Sequence, residues 1–162
     1  MSTDVAKRAT EATGHGWPET KLSDQEVLDI LIRGRINLIV KAPFFGNIAT
    51  RLKFIDATRW CPTAATDGKN FYYNKDFVAA LAKKGDNQEQ VTFLIGHEVL
   101  HCVYDHMERR EGRNPQIWNM ATDYVINGQL VREGLGKMPK QGLHDSKYYD
   151  KNSDEIYSEL KK

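Results

Sequence analysis

Two histidines four residues apart, with a glutamate beside the first, are the part of this chain whose residue types and spacing can do chemistry: His97-Glu98-Val99-Leu100-His101. On a helix, positions four apart lie about 40° from one another around the axis. His97 and His101 therefore project from one face, and each can turn a ring nitrogen toward a single cation. Glu98, one residue on, cannot share that ligand role but can reach a water beside the metal. A divalent cation makes such a water acidic near neutral pH, and a neighbouring carboxylate can take its proton and hand it to a leaving amine. This division of labour makes His97 and His101 candidate Zn²⁺ ligands and Glu98 the candidate general base of a hydrolase. Shuffling a chain of this composition produces the pattern about one time in a hundred, so coincidence is a weak rival. The stronger rival is a pair of half-buried helix histidines, and it must explain two imidazoles and a carboxylate inside an apolar helix, where burial without partners is costly.

A catalytic zinc site keeps three protein ligands and one open position, which leaves a ligand to find. His106 follows His101 by five residues, but on a continuous helix it lies roughly 180° from His97. It reaches the metal only if the helix unwinds around Tyr104 and Asp105, where neither Gly nor Pro stands. Asp123 belongs to a following helix that a turn over Gly112 to Pro115 folds back antiparallel on the first. There Asn119, Asp123 and Asn127 form a polar stripe flanked by Trp118, Met120, Val125 and Ile126. Asp123 is thus the leading third ligand and His106 the alternative. Asp105 orients a ligand or faces water, Cys102 points away from the ligand face, and Tyr104, Tyr124, His144 and Tyr148 are open candidates for an oxyanion donor.

The elements that must position these groups follow from periodicity and punctuation. Ser23-Asp24-Gln25-Glu26 is a capping-box pattern ahead of Val27, Ile30, Leu31, Leu38 and Ile39 at helical spacing, which predicts a helix to about Lys41, stopped by Pro43. Residues 51–58 and 69–73 are rich in β-branched and aromatic side chains around a Thr66-Asp67-Gly68 turn, which predicts two short antiparallel strands. Asn74 opens a short helix from Lys75 to Lys83, ended by Gly85. Asn87 caps the central helix, whose stripe of Val91, Leu94, Ile95, Val99 and Val103 continues to about Arg110. Asn114-Pro115 starts a second long helix to about Arg132, with Gly134 beyond it. After Gly136 the chain reads as loop, with a last helix from about Ser153.

The bulk properties narrow the partners. At 162 residues with 40% apolar content the chain is long enough for one ordinary core. Residues 1–21 read as a flexible segment, and 22–162 as a single domain. Those first residues lack the apolar run of a secretory signal, and no segment approaches the ~20 apolar residues of a membrane helix. Cys61 and Cys102 stand in unrelated contexts, as reduced thiols in a cytoplasmic setting do. The formal net charge of +1 gives no broad attraction to nucleic acid. Lys83-Lys84, Arg109-Arg110-Arg113 and Lys161-Lys162 read as scattered surface charge rather than as a phosphate-binding patch.

Several segments together resemble a known family, the putative metallopeptidase domain found N-terminal to von Willebrand A-like domains in bacterial and phage proteins. They are Thr63 to Gly68 with Tyr73-Asn74, then His97 to His101 with His106 and Arg109, Trp118-Asn119, Asp123 to Asn127, and Glu155-Ile156-Tyr157. The resemblance implies an α+β, zincin-like fold: helices packed on a small, mostly antiparallel sheet, with a short strand such as Asn70 to Tyr73 beside the active-site helix as a peptide-binding edge. Carried over, His97 and His101 match the metal ligands, Glu98 the base and Asp123 the acidic position. The implied activity is zinc-dependent hydrolysis of a peptide or protein substrate. Alternatives from other classes are a non-catalytic metal- or partner-binding module on the same fold, and a zinc amidase acting on a small molecule. The relatives' second domain does not follow within these residues, so the expectation is a chain that stands alone or relies on a partner subunit in its place.

Overall fold

The computed structural model describes residues 17–82, 88–104, 106–140 and 142–162. The expectations for Lys83 to Asn87 and for Asp105, and for the chain ahead of Trp17, lie outside the described residues. Helix α1, Asp24–Lys41, begins at the anticipated capping box: the Ser23 side chain accepts from the Glu26 amide, and the Glu26 carboxylate accepts from the Ser23 amide. Its buried stripe of Val27, Leu31, Gly34 and Leu38 has the spacing of one helix face. That face lies along the central helix, and a Cβ on Gly34 would meet Val91 Cγ1 at 2.9 Å, so the missing side chain is what lets the two backbones approach. A 3₁₀ turn, Pro43–Phe45, and helix α2, Gly46–Arg51, follow where periodicity gave no signal.

The sheet corrects the reading of the strands. It has three of them, β1 (Lys53–Asp56), β2 (Ala64–Thr66) and β3 (Asn70–Tyr73), in the order β1-β3-β2. β1 pairs with β3 in parallel, and β2 with β3 antiparallel. The sheet is therefore mixed rather than mostly antiparallel, and Asn70–Tyr73 is its centre rather than its edge. The chain turns at Ala57, whose carbonyl accepts from the Trp60 and Cys61 amides, passes the end of β3, and returns as β2 on the far side. Ala-Ala-Thr carries little strand propensity of its own. What makes β2 is its turn, in which the Asp67 carboxylate accepts from the Lys69 and Asn70 amides and the Tyr72 hydroxyl, while Gly68 supplies φ +91°.

Helix α3, Lys75–Leu81, is capped by the Asn74 carboxamide. Ahead of α1, the Trp17 ring packs 4.8 Å from Phe77 and its indole N–H donates to the Pro62 carbonyl, tying this stretch to the body of the fold. The central helix α4, Glu89–Val103, is buried continuously from Val91 to Leu100, as expected of an element surrounded by others. It ends seven residues before the anticipated Arg110, and a separate short helix α5, His106–Arg109, follows. Helix α6, Pro115–Glu133, starts at an Asn114 cap and stops at Gly134 with φ +68°, as the sequence predicts. Helix α7, Ser153–Lys161, opens on an Asn152/Glu155 capping box.

A principal core joins α1, α3, α4 and the inner sheet face, and a second cluster of Trp118, Ala121, Tyr148, Ile156 and Tyr157 holds α7 on α6. Each fully buried Leu, Ile or Phe in them contributes about 1.5–3 kcal/mol of transfer free energy. Helices α4 and α6 touch closely at Gly96, where a Cβ would stand 3.0 Å from Leu130 Cδ2. Beyond α6, Gly136 (φ +83°) passes against the first turn of α4, and the Lys137 amide donates to the Glu89 carbonyl. Cys61 and Cys102 are free thiols. Among the described residues no helix is long and apolar enough to cross a membrane.

Candidate metal centre

Helix α4 carries His97, Glu98 and His101 toward α6, which runs antiparallel to it: Asp123 lies against both histidines, Asn127 against His97 and Leu130 over Gly96. The Nε2 atoms of His97 and His101 stand 3.0 Å apart. One oxygen of Asp123, Oδ1, is 3.0 Å from His97 Nε2 and 3.4 Å from His101 Nε2. His97 and Asp123 are each 1% exposed, and Glu98 is 2% exposed. Two ring nitrogens and a carboxylate oxygen converging in a buried site call for positive charge at their centre. Around a tetrahedral ion such as Zn²⁺, bonds of about 2.0–2.1 Å put neighbouring ligands about 3.3–3.4 Å apart. Asp123 Oδ2 has no hydrogen-bond partner among the described residues, an oxygen left for a cation to satisfy. The three side chains thus fit a divalent ion, and their nitrogen and oxygen donors suit Zn²⁺ or another first-row metal.

The electrostatics favour the protonation states that ligation requires. Burial pushes the Asp123 carboxyl up, but the histidines against it prevail and hold it well below the usual carboxylate range. Burial holds His97 below its ordinary value despite the pull of Asp123. His97 is also oriented from behind: its Nδ1 donates to Asn127 Oδ1 at 2.8 Å, and the Asn127 amide donates to the Leu143 carbonyl at 2.9 Å. With Nδ1 protonated, the lone pair is on Nε2, facing Asp123 and His101.

His106 comes beside His101 by the one route open to it, a break of the central helix, for which the sequence offers no Gly or Pro. The central helix ends at Val103, with neither Gly nor Pro to end it, and His106 swings back so that its Nδ1 lies 3.2 Å from His101 Nδ1. It is 3% exposed, stacked on Tyr104 and edge-on to Trp118. Burial first, then the charges of His101 and Arg109, push its pKa down to about 3, so the ring is neutral at ordinary pH. The break is held by tertiary bonds: the Trp118 indole donates to the His106 carbonyl at 2.8 Å, and the Tyr104 hydroxyl donates to Gln129. His106 therefore stands on the side of His101 away from Asp123.

A cleft of about 290 Å³ opens over the centre. It is lined by Glu98, His101, His106 and Asp123, by Ala64 to Thr66 of β2, and by Arg110, Trp118, Asn119 and Thr122. Asn127 and Arg110 acquire their places only here. Asn127 had been one member of a polar stripe, and Arg110 one of several surface arginines. The candidate oxyanion donors are engaged elsewhere: Tyr104 on Gln129, His144 on Tyr149 at 2.5 Å, and Tyr148 in the second cluster against Tyr124.

Residues 31–162 match the model of the family described as "Putative metallopeptidase domain", and the chain belongs to that family. No curated protein and no solved structure matches it.

Proposed function

We propose that this protein is a zinc-dependent metallopeptidase of zincin-like design, in which His97, His101 and Asp123 hold Zn²⁺ and Glu98 is the general base. The observation that carries the reading is the convergence of His97, His101 and Asp123 beside a cleft that His101, Asp123 and Glu98 line. Held there, Zn²⁺ would supply Lewis-acid chemistry that makes a water nucleophilic near neutral pH. Glu98 takes the proton from the attacking water and returns it to the leaving amine. Among the described residues β2 pairs with β3 alone, which makes it a sheet edge, and it lines the cleft. An extended peptide can add to it as a further strand, which sets the scissile bond beside Glu98. The substrate is accordingly a peptide or protein segment that can be drawn out straight, with Arg110 and Asn119 lining the same cleft. An open wall with main-chain hydrogen-bonding groups suits a peptide better than the small molecule of an amidase. A cytoplasmic setting and a place beside a von Willebrand A-like domain or a partner subunit belong to the same reading.

The test is metal content by mass spectrometry together with cleavage of a peptide library. The expected result is about one zinc per chain, lost in His101→Ala and Asp123→Ala. Glu98→Gln is expected to keep the metal and lose at least a hundredfold in turnover. Wild type without metal, or Glu98→Gln as active as wild type, overturns the proposal.

A further inference from the structure

The hydrogen-bond sequence behind His101 assigns a role to His106 that depends on the metal-centre reading above. Nδ1 of His101 and Nδ1 of His106 are 3.2 Å apart, so one nitrogen must carry the proton and the other the lone pair. His101 Nε2 faces His97 and Asp123 and is the atom free to ligate. Its Nδ1 therefore holds the proton and donates to His106 Nδ1. His106 in turn carries its own proton on Nε2, which faces Ser153 Oγ at 3.5 Å, at the start of α7. Both outer groups are buried, His106 and Ser153 at 3% exposure each. The imidazole cannot tilt away, being stacked on Tyr104 (ring centroids 5.3 Å apart), edge-on to Trp118, and fixed at its backbone by the Trp118 indole.

We infer that His106 is a positioning residue, the acceptor that fixes the tautomer and ring orientation of His101, with Ser153 steadying its far side. It does for His101 what the Asn127 amide does for His97. The helix break after Val103 then has a purpose: a continuous helix would carry residue 106 away from the site. It also couples the metal centre to α7, because the residue that begins that helix holds the last link.

The experiment is Zn²⁺ affinity by competition with a chromogenic chelator for wild type, His106→Leu, His106→Asn and Ser153→Ala, with thermal melting of each metal-free protein. Leu and Asn are similar in size, but only Asn presents an acceptor, its Oδ1, near the position of the lost Nδ1. The expected result is a 10- to 100-fold loss of affinity in His106→Leu, recovery to within about threefold of wild type in His106→Asn, and a loss of a few-fold in Ser153→Ala. Nitrogen-15 spectra of the zinc-loaded wild type should show His101 protonated at Nδ1. Equal affinity in the Leu and Asn variants, whether near wild type or equally weakened, overturns the assignment while leaving the metal centre intact. A wild type that binds no zinc overturns the metal-centre reading and this assignment with it.

Discussion

Replacing Asn127 by Leu isolates what the support behind a ligand is worth. The Asn127 side chain accepts from His97 Nδ1 at 2.8 Å and donates to the Leu143 carbonyl at 2.9 Å, and the residue is 3% exposed. In the metal-free variant the damage is contained. His97 can shift its proton to Nε2 and donate to Asp123 Oδ1, 3.0 Å away, and the half-buried Leu143 carbonyl can turn to water. The expected loss of metal-free stability is at most about 1.5 kcal/mol, the net worth of one ordinary hydrogen bond. Metal binding removes that escape, because ligation takes the Nε2 lone pair and forces the proton back to a buried Nδ1 with no acceptor. An unmade buried hydrogen bond costs about 1–3 kcal/mol, and each tenfold in affinity is about 1.4 kcal/mol. Zn²⁺ affinity should therefore fall roughly 10- to 100-fold, in the range found for partners of ligating histidines. Urea denaturation of the metal-free protein gives the first quantity and chelator competition the second. An affinity within twofold of wild type, or a metal-free stability loss as large as the binding loss, refutes the argument that Asn127 sets the His97 tautomer.

Two further outcomes test the frame around the site. Gly136→Ala places a Cβ 2.6 Å from the Glu89 carbonyl oxygen and 2.7 Å from the Phe93 amide nitrogen at φ +83°. Neither backbone atom can yield cheaply, so chemical denaturation should show a loss of about 2–4 kcal/mol, with zinc affinity of the folded protein near wild type. Asp67, held below the usual carboxylate range by the Tyr72 hydroxyl and the Asn70 and Lys69 amides, steadies the turn that makes the edge strand. Because its pKa is lower folded than unfolded, its contribution is fully present above about pH 4, the unfolded value, and declines below it, to be lost as pH falls through the lower folded value. Asp67→Ala should accordingly melt below wild type at pH 7, and the gap should close on acidification below pH 4. A gap that persists undiminished at pH 2 rules out the charge-dependent part of this account.

The grouping of the candidate site residues on the central helix was legible in the sequence because it is local. His97, Glu98 and His101 occupy one turn and a little more of a helix, and a three-to-four-residue spacing says which of them share a face. The caps at Ser23, Asn74 and Asn114 and the stop at Gly134 were readable for the same reason: a cap is a bond between near neighbours. The nearness of Asp123 follows from an expected antiparallel return of the chain, which holds although α5 stands between the two long helices where a short turn was anticipated.

Three features were decided only by the tertiary structure. The order of the strands depends on where the chain from Ala57 to Thr63 travels, so Ala-Ala-Thr becomes the edge and Asn70–Tyr73 the centre, against the order of their propensities. The end of the central helix carries no sequence signal, because what ends it is the Trp118 indole and the Gln129 side chain, contributed from α6. The contacts of Asn127 and His106 with the two histidines depend on how α4 and α6 approach, which Gly96 allows and Leu130 limits. A spacing pattern specifies which side chains share a face of one helix. It carries no information about how closely a second helix approaches, and that approach, a few ångströms of packing, decides which nitrogen of each histidine faces Asp123.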